Sequence, residues 1–116
     1  MMAAKGVNKV TLLGHIGQEP EVRYNNSGKP IATFTTATGE YWRDKETGEQ
    51  RESTEWHKIV VFGKLAEIIK DKAKKGTQIY LEGKNKTTKW QDENGKDHYT
   101  TEVVVEGFQG VIQILK

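Results

Sequence analysis

Hydrophobic and polar residues alternate along most of the chain, which is the pattern of β-strands with one buried face. The alternating runs are rich in β-branched and aliphatic residues, and glycines or short polar stretches separate them. The pattern predicts five strands, over residues 7–13, 31–38, 55–62, 77–90 and 98–105, and a short sixth strand over residues 111–115.

Two polar stretches between predicted strands indicate hairpins. The Asn94-Gly95 pair lies between Trp90 and Tyr99, and both of its residues tolerate the positive φ of a tight turn. Residues 43–53 are polar apart from one glycine and predict a second, longer hairpin loop.

Residues 64–75 depart from the alternating pattern. Apolar residues recur there at spacings of three and four, while charged residues occupy the other faces. Gly76 follows as a C-terminal cap, and Lys72, Lys74 and Lys75 fall in the last turn, where the helix dipole favours cations. The segment therefore predicts one amphipathic helix of about three turns.

The order of these elements predicts the fold class. Three strands, a helix and at least two more strands within about a hundred residues match the five-stranded OB-fold, a Greek-key barrel. We therefore predict an all-β chain with long β-hairpins and one α-helix between strands 3 and 4. A two-layer α+β sandwich with the same element order is the alternative.

Composition bounds the size and class of the protein. Its 116 residues, 34% hydrophobic, suit one domain with a small core. The absence of cysteine excludes a disulfide scaffold, a thiolate zinc site and a cysteine nucleophile. The three histidines, His15, His57 and His98, lie on separate predicted elements without ligand spacing. We therefore predict no metal, no cofactor and no enzymatic activity, with a metal-dependent nuclease as the disfavoured alternative.

The distribution of charge is more informative than the net charge of +2. Residues 64–75 and 84–90 each carry a net +3, whereas residues 40–55 carry −3. The longest apolar run, Ile59 to Phe62, is far shorter than the roughly 20 residues that cross a bilayer. We therefore expect no membrane partner, and any electrostatic function depends on local basic segments.

Aromatic residues among the lysines suggest what the basic segments bind. Trp90 follows a Lys-rich stretch that offers little to bury it, whereas Phe34 and Tyr99 are predicted to be core residues. Trp56 and Phe62 share one face of their strand, and their pattern leaves core and surface equally open. Lysines neutralise phosphates, and an exposed indole stacks on an unpaired base of any identity. This combination predicts sequence-tolerant binding of single-stranded DNA or RNA.

Motifs along nearly the whole chain resemble one family. They are Gly6-Val7-Asn8-Lys9-Val10, Leu13-Gly14, Pro20-Glu21-Val22-Arg23-Tyr24, Trp42-Arg43-Asp44, Thr54-Glu55-Trp56-His57, Phe62-Gly63-Lys64-Leu65-Ala66-Glu67, Lys75-Gly76, Tyr80-Leu81-Glu82-Gly83, Lys89-Trp90 and Tyr99-Thr100-Thr101-Glu102-Val103. With these motifs the chain closely resembles the bacterial single-stranded DNA-binding proteins.

The resemblance implies an OB-fold domain over residues 5–115, preceded by an N-terminal extension, residues 1–4, that is expected to be disordered. It implies a homotetramer that binds and protects single-stranded DNA in replication, recombination and repair, in the bacterial cytoplasm and associated with the nucleoid. The implied DNA-stacking residues are Trp42, Trp56, Phe62 and Trp90. The implied DNA-backbone contacts are Lys5, Lys58, Lys64, Lys75, Lys86 and Lys89. The implied subunit contacts are Lys9, His57, Gln78, Tyr80 and Glu82.

The chain also departs from the family pattern. Thr88 stands where an arginine is common, Asn85 where a leucine is common, and His15 where an asparagine is usual. The family's flexible linker and acidic C-terminal tail are absent from this sequence, so genome-maintenance proteins are expected as partners only if the full-length protein has such a tail. A dimer that uses the same domain for protein contacts, like the related primosomal protein, is the alternative from a different functional class.

Overall fold

The computed structural model describes residues 5–116, and within them the chain is built mainly from β-strands. The predicted extension, residues 1–4, lies outside the described residues. In chain order the elements are β1 (Val10–Ile16), β2 (Glu21–Tyr24), β3 (Pro30–Arg43), β4 (Gln50–Phe62), α1 (Lys64–Lys72), β5 (Gln78–Gln91), β6 (Asp97–Val105), a 3₁₀ turn (Gly107–Gln109) and β7 (Val111–Ile114).

Five of the strands close into a barrel. They are hydrogen-bonded in the order β1-β3-β4-β6-β5, and β5 pairs again with β1. The β4–β6 pair is parallel, and the other pairs around the barrel are antiparallel. Helix α1 follows β4, the third strand of the barrel, so this is the predicted OB-fold. The β1–β5 pairing rules out the α+β sandwich, because it closes the sheet on itself, whereas the sheet of a two-layer sandwich is open.

The barrel core follows from strand alternation. Fully buried side chains come from every barrel strand, and α1 adds two that pack against β3 and β4. The largest buried side chains in the described chain are Phe34, Ile16, Ile59, Ile69, Ile79, Leu81, Val61, Val105 and Thr36. Every one of these strand residues has neighbours in sequence that are more exposed or point outward, as period-two packing requires.

Two glycines allow the barrel strands to approach each other closely. A Cβ atom on Gly14 of β1 would clash with the carbonyl oxygen of Ala37 on β3. A Cβ atom on Gly83 of β5 would lie 2.5 Å from the carbonyl oxygen of Val104 on β6. Since real side chains do not tolerate such contacts, glycine is required at both points where the sheet curls into a barrel.

Four local features differ from the sequence-based prediction. Strand β2 was not predicted, because its four residues carry alternating charge rather than a β-branched run. Strand β1 begins at Val10, and Val7 is exposed. Strands β3 and β4 continue past the barrel, so the loop between them spans only residues 44–49. Helix α1 ends at Lys72, and Gly76 (φ +89°) instead donates its N–H to the carbonyl of Ile16.

An aspartate anchors the loop of each long hairpin. In the β3–β4 loop, Asp44 accepts hydrogen bonds from the N–H groups of Glu46 and Thr47. In the β5–β6 loop, Asp92 accepts from the N–H groups of Asn94 and Lys96. The predicted β5–β6 hairpin is present, but only Gly95 of the Asn94-Gly95 pair has a positive φ. A five-residue loop, residues 92–96, therefore replaces the predicted tight turn.

Phe34 and Tyr99 test the assignment of the core. Phe34 is fully buried, whereas Tyr99 is 67% exposed on the part of β6 that extends beyond the barrel, so its core prediction is wrong. We expect Phe34→Ala to lower the free energy of unfolding by about 3–5 kcal/mol through the cavity it leaves. Tyr99→Ala should lower it by less than about 1 kcal/mol. Urea unfolding at equal protein concentrations measures both, and comparable losses would contradict this core assignment.

Candidate nucleic-acid interface

One surface of the sheet carries several exposed aromatic and basic side chains. We call it the outer face, meaning the side of β3, β4, β6 and β5 that points away from the core. Paired residues of neighbouring strands share a face, so Lys58, opposite Thr35, and Lys86, opposite Glu102, both lie on it. The same alternation places three of the predicted stacking residues on it: Trp56, Phe62 and Trp90.

Trp56 lies on the outer face near the end of β1. Its indole is 61% exposed, and its ring lies against the backbone of Gly17, where an added Cβ atom would clash with it. Gly17 in turn donates its N–H to the carbonyl of Thr35, which fixes the segment beneath the ring. The indole is thus supported from below and open to solvent above.

Trp90 lies on the outer face of the β5–β6 hairpin and is 49% exposed. Its indole N–H donates to the hydroxyl of Thr100, 3.1 Å away. Its ring stacks on His98, with ring centroids 4.5 Å apart. These contacts within the hairpin therefore fix the Trp90 indole, although its neighbours in sequence are polar.

Phe62 ends β4 and is half-buried. It shares the outer face with Trp56, about 20 Å away along the strand. Phe62 pairs with Ile31, and Ile31 pairs on its other side with Arg23 of β2. Arg23 forms an ion pair with Glu21 at 2.7 Å and lines, with Lys58 and Glu102, a shallow groove of about 330 Å³.

The predicted backbone-contacting lysines differ in their surroundings. Lys58 is paired with Glu102 at 3.3 Å and Lys89 with Asp97 at 3.2 Å. Within residues 5–116, Lys64, Lys75 and Lys86 form no ion pair and are exposed. Lys75 donates its backbone N–H to Glu19, on the segment that runs beneath Trp56. Lys5 is exposed at the start of the described chain.

Two of the predicted DNA-binding residues lie on the opposite side of the hairpins. Trp42, 48% exposed, shares the parity of Phe34 on β3, beyond the point where that face is buried. Lys89 lies opposite Tyr99, and its side chain is on the other face of the hairpin from Trp90. The structure therefore brings together Trp56, Phe62 and Trp90 but leaves Trp42 and Lys89 on the reverse face.

Four of the predicted subunit contacts form a second cluster on the outer side of β5 and the start of β1. Lys9 pairs with Glu82 at 3.1 Å, and the hydroxyl of Tyr80 donates to Glu82. The Tyr80 hydroxyl and Lys9 hold the pKa of Glu82 below its usual range, and the same bond raises the pKa of Tyr80. Gln78 continues this side of β5. His57 lies apart, half-buried and 2.8 Å from the Thr38 hydroxyl.

The sequence pattern did not predict two exposed residues of this region, Tyr41 on the outer face and Arg23 beside it on β2. Arg23 was missed because β2 was not predicted, and the alternation of its four residues was too short to be recognised. Tyr41, which is opposite Glu52 and on the same side of the β3–β4 hairpin as Trp56, is strongly exposed. Extending the predicted strand through residues 39–43 would have placed Tyr41 there.

Other kinds of site are not found in the described part of the chain. Residues 5–116 contain no cluster of three or more histidine, aspartate or glutamate side chains that could hold a metal ion. Among those residues, no helix is long and apolar enough to cross a membrane.

Comparison with known proteins agrees with this geometry. The model of the single-strand binding protein family matches residues 7–111. A Plasmodium falciparum SSB solved in complex with single-stranded DNA is similar in structure, with a TM-score of 0.92, 35% identity, and coverage of 99% of this chain and 100% of that one. A deletion mutant of the single-stranded DNA-binding protein from Thermus aquaticus has a TM-score of 0.79 and 29% identity. The match covers 98% of this chain and 53% of the Thermus chain.

The closed barrel and its aromatic, lysine-bearing face define an OB-fold nucleic-acid-binding protein. The chain belongs to the single-strand binding protein family. The members of this family are binding proteins and not enzymes, in agreement with the prediction from sequence.

The contact between Trp56 and Gly17 can be tested without DNA. We expect Gly17→Ala to displace the indole, because the added methyl group would occupy the ring's position. The near-UV circular dichroism of Gly17→Ala should differ from wild type, and this difference should disappear in a Trp56→Phe background. Gly6→Ala is the matched control, since nothing lies within 4 Å of a Cβ there. Equal spectra for both alanine variants would show that Gly17 does not position Trp56.

Proposed function

We propose that this protein binds and protects single-stranded DNA independently of sequence, in replication, recombination and repair. Bases stack on Trp56, Phe62 and Trp90, and lysines contact the phosphates. The observation that supports the proposal is that these three aromatics share one exposed face with Lys58 and Lys86. Stacking contributes about 1–3 kcal/mol per base and requires unpaired bases, so the surface selects single strands over duplex.

The electrostatic part of binding comes from lysines around that face. Lys64 lies two residues after Phe62, and Lys75 lies beside the segment under Trp56. Lys86 lies on the same face of β5 as Trp90, four residues earlier in the chain. Each lysine that neutralises a phosphate releases a counterion, so affinity falls with salt. Lys58 has to exchange Glu102 for a phosphate, and Lys5 extends the basic surface at the chain start.

Trp42 and Lys89 are also proposed to contact DNA, but from a different surface than Trp56, Phe62 and Trp90. Both lie on the reverse face of their hairpins, beyond the barrel. A DNA strand that contacts both Trp56 and Trp42 therefore has to pass around the β3–β4 hairpin.

The resemblance of the chain to the family also supports a location in the bacterial cytoplasm, in association with the nucleoid.

Fluorescence titration tests the binding mode. Oligo-dT should quench tryptophan emission strongly at low salt, duplex of equal length should compete poorly, and oligo-U measures the preference for DNA over RNA. Trp56→Ala and Trp90→Ala should each weaken oligo-dT binding by about 1–3 kcal/mol with unchanged melting temperature. Phe108→Ala removes an exposed aromatic outside the outer face and should bind normally.

Two results would overturn this mechanism. Unchanged fluorescence with excess oligo-dT at low salt would exclude single-strand binding by these tryptophans. A large fall in melting temperature for Trp56→Ala or Trp90→Ala would show a core residue and not a stacking surface.

We also propose that the protein assembles as a homotetramer. The cluster of Lys9, Gln78, Tyr80 and Glu82 supports this proposal, because it lies beside the exposed apolar side chain of Leu13, which is opposite Tyr80. A patch that mixes exposed apolar area with paired charges fits a subunit interface. His57 would join the contacts from the neighbouring end of the barrel.

Light scattering tests the assembly. The wild-type mass should be about four times 13.1 kDa. Leu13→Asp should shift the mass to a smaller species, because it places a charge in the apolar part of the patch. Tyr99→Asp, outside that patch, should leave the mass unchanged. A wild-type dimer would contradict the tetramer and favour the alternative of a dimeric protein-contact domain.

A further inference from the structure

Trp90 presents two unequal faces. One face of the indole is covered by the imidazole of His98, with centroids 4.5 Å apart and ring planes 21° from parallel. The indole N–H is bound to the hydroxyl of Thr100. With one face and one edge occupied, a single broad face of the ring remains for a base.

The imidazole that covers Trp90 is itself held in place. Its Nε2 atom lies 2.8 Å from a carboxylate oxygen of Asp92, and the other oxygen of Asp92 accepts from the backbone N–H groups of Asn94 and Lys96. The hydrogen bond to His98, followed by those from the backbone, holds the pKa of Asp92 below its usual range. Asp92 therefore stays ionised and connects the loop backbone to the imidazole.

Neighbouring charges do not compete for His98. Asp97 is bound to Lys89 and Gln91 on the reverse face of the hairpin. The next charged pair on the outer face of β5 and β6 is Lys86 and Glu102, four residues along each strand from Trp90 and His98. Asp92 is thus the charged group that faces the imidazole.

We propose that His98, held by Asp92, is a positioning residue for single-strand binding: it fixes the Trp90 indole so that a base stacks on its one free face, giving a base–indole–imidazole stack. The inference rests on the proposed function of Trp90. Its physical basis is that a ring already held in its bound orientation loses less conformational freedom when a base arrives. Because His98 covers one face of the indole, it also determines along which side of the hairpin the DNA strand runs.

A double-mutant cycle tests the proposal. We expect His98→Ala to weaken oligo-dT binding roughly 2- to 10-fold, the range of an aromatic pair, at unchanged melting temperature. His98→Phe should restore most of the affinity, because phenylalanine can cover the same face of the indole. In a Trp90→Ala background, His98→Ala should have no further effect, since there is no indole left to position. Gln91→Ala, a neutral truncation on the reverse face, is the matched control.

The indole N–H resonance of Trp90 provides a readout that does not depend on binding. In an ¹⁵N-edited NMR spectrum of the DNA-free protein, this signal should shift in His98→Ala and return towards wild type in His98→Phe. Trp90→Ala assigns the resonance.

Three results would overturn the proposal. His98→Ala with wild-type affinity would show that the imidazole does not matter for binding. A loss that persists in the Trp90→Ala background would show that His98 contacts DNA directly. Failure of His98→Phe to restore affinity, with the protein folded, would exclude ring support. Failure of wild-type protein to bind oligo-dT would instead overturn the proposed function.

Discussion

Pairing of β1 with β5 is the contact on which the rest of the structure depends. It converts a five-stranded sheet into a closed barrel, and closure assigns one side of every strand to the core. The other side of each strand is then necessarily displayed as one continuous surface. Gly14 and Gly83 make this closure possible by letting backbones approach where a side chain would prevent it. The aromatic and basic residues of the outer face share one side of the sheet because β3, β4, β6 and β5 pair in that order within the barrel.

The hairpins add a second level of organisation. β3 with β4, and β5 with β6, stay paired for several residues after the core ends, so both sides of each ribbon are exposed. Alternation alone then distributes aromatics over both sides, with Trp56 and Trp90 on one and Trp42 on the other. A nucleic acid that uses all of them has to wrap around the ribbons and cannot lie flat on one surface. The arrangement of the tryptophans is thus a direct result of strands that extend beyond their core.

The sequence predicted the barrel well because long strands and one helix have strong periodic signals. Phe34 lies between two threonines, Ile79 lies between Gln78 and Tyr80, and α1 has a clear apolar stripe. The sequence failed where structure depends on contacts between distant segments. Tyr99 is an aromatic residue in an alternating run, as core residues often are, but it lies past the end of the core. Strand β2 forms through its pairing with β3, a contact that its own four residues do not predict.

The candidate site was predictable to a similar degree. The resemblance to a family identified the tryptophans, and strand parity indicated that Trp56 and Phe62 share a face. What could not be predicted is the support of each indole, since Gly17 beneath Trp56 and His98 against Trp90 become partners only through strand pairing. The same holds for the ion pairs of Lys58 and Lys89, whose partners lie on other strands.

The two aspartate-anchored loops make the hairpins sensitive to acid, as the Glu82 carboxylate does for the β1–β5 side of the barrel. The pKa values of Asp44 and Asp92 are both lowered, chiefly by backbone N–H groups for Asp44 and by His98 for Asp92. A carboxylate with a lowered pKa stabilises the folded loop above its ordinary pKa, and that stabilisation is lost as the pH falls below about 4. Acidification below about pH 4 would therefore weaken the hydrogen bonds that fix the loops of both nucleic-acid-binding hairpins.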